Sequence, residues 1–188
     1  MMSAQTDKGS ANACQDQRDV LFVGLDPAIR HTGICAEHEG IFRYAQFSGV
    51  SLKSVVWDYL RYSKDIIATI AGQLVLASHS VVSIDFTTAT YGQRAHQQAI
   101  FSMFVGMLVS EVTHYGTSRV DFLLVEPRLV RSYVGLPPKA PKRDVWEAYE
   151  LTDIDDYSED VNDARVLMSF GKQEYLNGYA YMGGTRNG

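Results

Sequence analysis

The sequence predicts an α/β domain built on a mixed five-stranded sheet, with three antiparallel N-terminal strands and helices flanking the sheet. Three observations lead there. Short apolar runs rich in β-branched and aromatic residues recur along the chain, each bounded by turn or breaker residues. The first three crowd between Val20 and Phe47, the second and third joined by a tight turn at Glu39-Gly40, so they pair as a hairpin does. Two long stretches with apolar residues at three-and-four spacing separate the later runs. The resulting order is β-β-β-α-β-α-β-α-α.

Residues 1–19 are polar and read as a flexible tail without the apolar segment of a secretory signal. Val20 to Leu25 is a buried strand closed by Asp26-Pro27, and Gly33 to Glu37 and Ile41 to Phe47 suit the second and third strands. Leu52 to about Ser78 reads as a helix, with Ser51 as its cap and Ile66, Ile67, Ile70 and Leu74 on its apolar face. Val81 to Phe86 is a strand holding Asp85 near its end. Gln93 to Tyr115 is a second long helix, very apolar from Ile100 to Val112. Its stripe of Ile100, Phe101, Phe104, Val105 and Leu108 suits either the core or a contact with a second copy. Val120 to Glu126 is the fifth strand, stopped by Pro127. Gly135, Pro137, Pro138 and Pro141 make Ser132 to Pro141 a loop. Arg143 to Tyr149 suits a short helix, Leu151 to Asp160 an acidic loop, and Asp163 to Leu176 the last helix. One domain over 20–176 is expected, with a second flexible tail over 177–188.

The length of 188 residues suits one domain with a full core, and 46% apolar with 21% charged residues excludes a disordered chain. A net charge of −5 excludes a uniformly cationic protein but not a local basic patch. Two cysteines, Cys14 and Cys35, cannot build a disulfide framework or a thiolate zinc site. An intracellular, reducing compartment is expected, cytoplasmic or nucleoid-associated, with an organelle left open. No run is long and apolar enough for a membrane span, and no membrane partner is expected.

Four carboxylates carry the chemical signal. Asp26 ends the first strand and Asp85 lies near the end of a later central strand. Asp160 and Asp163 stand three apart at the entry to the last helix, on one face if the helix has begun by then. Half-buried carboxylates need a partner or a cation. Adjacent strands would bring Asp26 beside Asp85, and the last helix would deliver the other two to the same point. Oxygen ligands without His or Cys suit Mg2+ or Mn2+, and two such ions could activate water and stabilise a leaving 3′ oxygen. Each residue also has a structural reading. Asp26 suits a turn ahead of Pro27, Asp85 a turn cap, Asp160 an N-cap and Asp163 a first-turn acid favoured by the helix dipole.

The segment Gly24-Leu25-Asp26-Pro27-Ala28-Ile29-Arg30-His31-Thr32-Gly33 resembles the opening motif of RuvC-type Holliday-junction resolvases. Glu159-Asp160-Val161-Asn162-Asp163-Ala164 resembles their closing acidic motif. Gly135, Lys142 and Val145 are similar to the glycine and lysine segment between them, and Pro127 with Val130-Arg131 to the stretch leading into it. The resemblance implies a ribonuclease-H-like fold, a homodimer, two Mg2+ (or Mn2+) ions per site and symmetric nicking of four-way DNA junctions. It implies metal-binding and catalytic roles for Asp26, Asp85, Asp160 and Asp163, and a catalytic or phosphate contact for Lys142. Two positions depart from the family pattern. Ala28 stands where a glycine is usual. Asp85 replaces the usual glutamate, with Glu126 as a substitute on the neighbouring strand.

Charge is unevenly placed. Arg128, Arg131, Lys139, Lys142 and Arg143 fall in a stretch with no acid, and 144–163 holds only acids. The basic stretch is expected to hold DNA phosphates, with Tyr133 stacking on a base step or packing on the core, and Arg94 at the active edge. Thr88 and Thr90 suit caps of the following helix. The expected function is a structure-selective junction endonuclease. A nuclease for other branched DNA or RNA-containing hybrids, or an inert junction-binding protein, is the alternative.

Overall fold

The computed structural model describes residues 19–28, 31–49, 56–86, 93–115 and 119–179, and omits side chains at 56–57, 59–60, 93–101, 112 and 115. The expected Ser51 cap, Thr88 and Thr90 lie outside these residues. Five strands, β1 (Val20–Pro27), β2 (His31–His38), β3 (Ile41–Ser48), β4 (His79–Asp85) and β5 (Arg119–Val125), form one sheet in the order β3-β2-β1-β4-β5. β1 to β3 pair antiparallel, whereas β4 and β5 run parallel to β1. This is the mixed sheet with three antiparallel N-terminal strands that the run order predicts.

Alternation along the strands divides the core in two. Leu21, Val23, Leu25, Val82 and Ile84 point to one face and pack with Ile66 and Ile70 of α1 (Val56–Leu74) and Val105 and Leu108 of α2 (Gln93–Tyr115). Val105 and Leu108 of the expected stripe thus face the core, while Met103 is exposed and an added Cβ at Gly106 would meet only open space. Val20, Phe22, Val81, Leu123 and Val125 point to the other face. There they meet α3 (Pro127–Tyr133), α4 (Lys142–Ala148) and α5 (Glu159–Leu176). Among the described residues no helix is long and apolar enough to cross a membrane.

Several boundaries differ from the sequence expectation. α1 ends at Leu74, and the chain turns through Leu76, whose N–H donates to the Gln73 carbonyl at 3.0 Å. Pro127 opens α3 as well as stopping β5, because its missing N–H and fixed φ suit the first turn of a helix. α5 starts at Glu159, capped by Ser158, whose hydroxyl accepts from Val161 N at 3.3 Å. Asp160 and Asp163 are therefore both helical and share a face. Beyond Leu176, the Tyr179 hydroxyl donates to Asp121 at 2.7 Å and Asn177 Nδ2 to the Tyr133 hydroxyl at 3.0 Å, so residues 177–179 belong to the folded body.

α5 is the most deeply seated helix. Phe170 and Ala164 have no exposed surface, and Val161, Leu167, Met168 and Tyr175 are buried beside them. Its closeness to the sheet depends on two bare backbones. A Cβ at Gly24 would run into the Ala164 carbonyl and stand 2.5 Å from Met168 N, and one at Gly33 would run into the Asp160 carbonyl. Gly24→Ala is expected to lower stability by about 1–3 kcal/mol or more, because helix backbone rather than a movable side chain blocks the methyl group. Chemical denaturation reads this directly, and wild-type stability in that variant would mean that α5 is not seated on β1.

Candidate active site

The sheet sets the first pair of acids. β1 and β4 run in parallel register through Leu25 and Ile84, so the next residues, Asp26 and Asp85, lie level on adjacent strands, about 4.8 Å apart between backbones. Both continue the alternation of the α5 face, Asp26 after Phe22 and Gly24, Asp85 after Val81 and Ser83. On the other side Asp26 pairs with Gly33, against which the Asp160 carbonyl is seated. The seat that Gly33 leaves for α5 thus brings the helix's acids over the ends of β1 and β4.

These groups meet in a pocket of about 180 Å³ lined by Asp26, Asp85, Arg131, Lys142 and Asp163, with Pro127, Val130, Val145, Val166 and Leu167 as its apolar wall. Asp26 feels this convergence. Burial, then the charges of Asp85 and Asp163, and more weakly that of Asp160, hold its carboxyl well above the usual carboxylate range against the opposing pull of Lys142. Lys142 Nζ donates to Asp163 Oδ2 at 2.5 Å and to Glu159 at 3.5 Å. Its burial opposes the charged form, but the Asp163 hydrogen bond and the charges of Asp163, Asp26 and Glu159 together raise its pKa above the ordinary lysine value.

The predicted residues do not all share the pocket. Asp26, Asp85, Asp163, Lys142 and Arg131 line it. Asp160 stands outside that lining and accepts from Gln46 Nε2 of β3 at 3.4 Å. Glu126 pairs with Arg128 and is not among the pocket's lining residues, whereas Asp85 is. Ala28 is not among the described residues with positive φ, so its own backbone needs no glycine. Thr32 holds that backbone by donating to the Ala28 carbonyl at 3.2 Å and accepting from the Tyr62 hydroxyl at 2.7 Å.

Most of the residues expected to contact DNA have partners within the chain. Arg131 donates to the carbonyls of Pro127 at 3.1 Å and Ala140 at 3.2 Å, fastening the 134–141 loop to α3. Arg143 pairs with Glu147 and Asp155, both at 3.2 Å. Tyr133 packs edge-on against Phe170, with ring centroids 5.3 Å apart. Arg128 is exposed but paired with Glu126, and Lys139 is exposed. Arg94 lies in α2, its side chain outside the described residues.

The sequence reading missed Trp146, whose indole Nε1 donates to Asp163 Oδ1 at 2.8 Å. Its signal was the four-residue spacing from Lys142, legible once α4 is seen to begin at Lys142 rather than Arg143. Among the described residues, no three His, Cys, Asp or Glu side chains stand close enough together to hold a metal ion. The pocket's donor set nevertheless consists of oxygens alone, with mutual repulsion that a divalent cation would relieve, so its chemistry fits Mg2+ or Mn2+.

Solved structures share this architecture. Thermus thermophilus RuvC in complex with a Holliday junction substrate matches with a TM-score of 0.61 at 14% identity, over 85% of this chain and 96% of that one. A second Thermus thermophilus RuvC structure matches at 0.52 and 18% identity, over 87% and 96% of the two chains. The yeast mitochondrial Holliday junction resolvase Ydc2 matches at 0.58 and 10% identity, over 89% and 82%. No protein-family model matches the chain, and no curated protein matches it by sequence. This chain therefore shares the fold of these solved structures.

The raised pKa of Asp26 has a sign that can be checked. A carboxyl whose folded pKa lies above its unfolded value contributes its full stability below the unfolded pKa and loses it as pH rises through the folded one. Asp26→Asn is therefore expected to melt higher than wild type at neutral pH in chelator, with the gap closing below about pH 4. Thermal melts across pH test this, and a lower neutral-pH melting temperature in the variant would contradict it.

Proposed function

We propose that the protein is a structure-selective, divalent-metal-dependent DNA endonuclease that resolves four-way junctions by symmetric phosphodiester hydrolysis as a homodimer. The observation that carries this reading is the meeting of Asp26, Asp85, Asp163 and Lys142 around one pocket. A RuvC-type fold supports it, since one solved counterpart is a RuvC in complex with a Holliday junction substrate.

In this reading Asp26 and Asp85, level on adjacent strands, would hold Mg2+ or Mn2+ together with Asp163 and Asp160. The bound ions would supply Lewis-acid polarisation of the phosphodiester and a lowered pKa for attacking water. Such cation charge would offset the burial and neighbouring negative charge that push the Asp26 carboxyl up, and so would favour its ionised form. Lys142 places an ammonium beside the scissile phosphate and offsets charge building there. Val130, Val145, Val166 and Leu167 back the acids with apolar surface, strengthening each charge interaction inside. Two copies related by two-fold symmetry account for paired nicks. The surface of α2 around Met103 and Gly106 is the face proposed for that contact.

A second reading has an observation behind it. Lys142 sits on Asp163, and no three described acids stand close enough together to hold a metal ion, which suits a protein that binds junctions without cutting them. A four-way junction assay in Mg2+ or Mn2+, with fork and RNA–DNA hybrid substrates alongside, separates the accounts. Paired nicks in the junction are expected from wild type, falling at least 100-fold in Asp26→Asn and Asp85→Asn if these acids hold the ions (about 10²–10³ is usual for loss of one stabilising group). Salt-sensitive binding without nicks would establish the second reading.

The DNA surface is narrower than the five basic residues imply. Lys139→Ala is expected to weaken junction binding and to reduce the slope of log K against log salt by about 1. Arg143→Ala is expected to leave that slope unchanged, because its guanidinium is turned to Glu147 and Asp155. Equal losses in both variants would return Arg143 to the phosphate surface.

A further inference from the structure

α4 is only seven residues long, yet it sends two donors to one carboxylate. Lys142 and Trp146, four apart on the same face, each take one oxygen of Asp163: Nζ reaches Oδ2 at 2.5 Å and the indole Nε1 reaches Oδ1 at 2.8 Å. The two donors differ in every property that governs exchange. Trp146 is 8% exposed and packed in the core beside Val145, Phe170 and Leu167, and its N–H is neutral. Lys142 is charged, its side chain is 47% exposed on a flexible stem, and Glu159 at 3.5 Å offers it a second place to rest.

We infer that Trp146 is a positioning residue for Asp163: its indole N–H holds Oδ1 in place while Oδ2 exchanges the Lys142 ammonium for a divalent cation. This rests on the metal-dependent reading above. A carboxylate anchored through one oxygen presents the other in a fixed direction, and a neutral donor does so without repelling the incoming cation. Lys142, by contrast, neutralises Asp163 only until a cation arrives, and its release frees the ammonium for phosphate. Neutral hydrogen-bond donors behind metal ligands commonly govern affinity in this way, and their loss lowers it about 10–100-fold.

A structural alternative is that Asp163 merely satisfies a buried indole N–H, which would otherwise lack a partner. Calorimetric titration with Mn2+ on wild type and Trp146→Phe distinguishes the two, since phenylalanine keeps an apolar ring and removes only the donor and part of the volume. A folded Trp146→Phe is expected to bind Mn2+ about 10–100-fold more weakly than wild type. Unchanged Mn2+ affinity would overturn the positioning role while leaving the metal-dependent reading intact. If Trp146→Phe does not fold, the wild-type protein answers by itself. Its Trp146 indole N–H resonance, assigned against Trp57→Phe, is expected to shift as Mg2+ is added and to remain protected from solvent exchange. An indole signal that does not move at saturating Mg2+ overturns the inference. Wild type that binds neither Mn2+ nor Mg2+ overturns the metal-dependent reading, and the inference with it.

Discussion

The close seating of α5 on the bare backbone of β1 and β2 is the constraint on which the site depends. The sheet by itself delivers two acids, Asp26 and Asp85, at the level ends of adjacent parallel strands. The helix delivers the rest, and it reaches them only because Gly24 and Gly33 leave its backbone room to lie against the strands. Since a helix rises about 1.5 Å per residue, a slip of even two residues along its axis would carry Asp163 some 3 Å from its place. The Ser158 cap and the buried row from Val161 to Tyr175 keep that register.

The segment after α4 holds the same helix from outside. Arg165 is buried, donates to Asn162 and to the Thr152 carbonyl, and lies over the rings of Tyr44 and Tyr157 at 5.6 and 5.0 Å. Asn162 in turn donates to the Ile154 carbonyl at 2.8 Å. The acidic run is thus a folded strap tied to α5, and part of its charge is met by Arg143. The pocket shows the opposite economy. Carboxylates are crowded where burial raises the energy of their charge, an arrangement that opposes folding and that proteins retain where chemistry needs it.

Much of the architecture was legible because it rests on local pattern. Alternating and continuous apolar runs located all five strands, and the acids at the ends of two of them marked the site's edge. The closing acids were legible as a pair, although their helix begins earlier than the run of apolar residues suggested. The roles that escaped depend on partners that only the folded chain brings together. Nothing near Arg131 announces that it will fasten carbonyls at 127 and 140, and nothing near Tyr133 announces Phe170. A basic composition at 128–143 reads as phosphate-binding, and nothing local in it shows the carboxylates and carbonyls that also engage Arg131 and Arg143. Pro127 stops a strand in the sequence pattern, and the same ring opens a helix. Trp146 was invisible as a site residue because an indole N–H acquires a role only from the oxygen it faces.

The central claim is that acids from two strand ends and one helix share a single cation site. Diffraction from crystals soaked in Mn2+, recorded at the manganese absorption edge, tests it most directly. Anomalous density lying between the Asp26 and Asp85 carboxylates, with Asp163 turned toward it, is the expected result. Manganese bound only elsewhere on the protein, with Asp163 still held by Lys142, would contradict it.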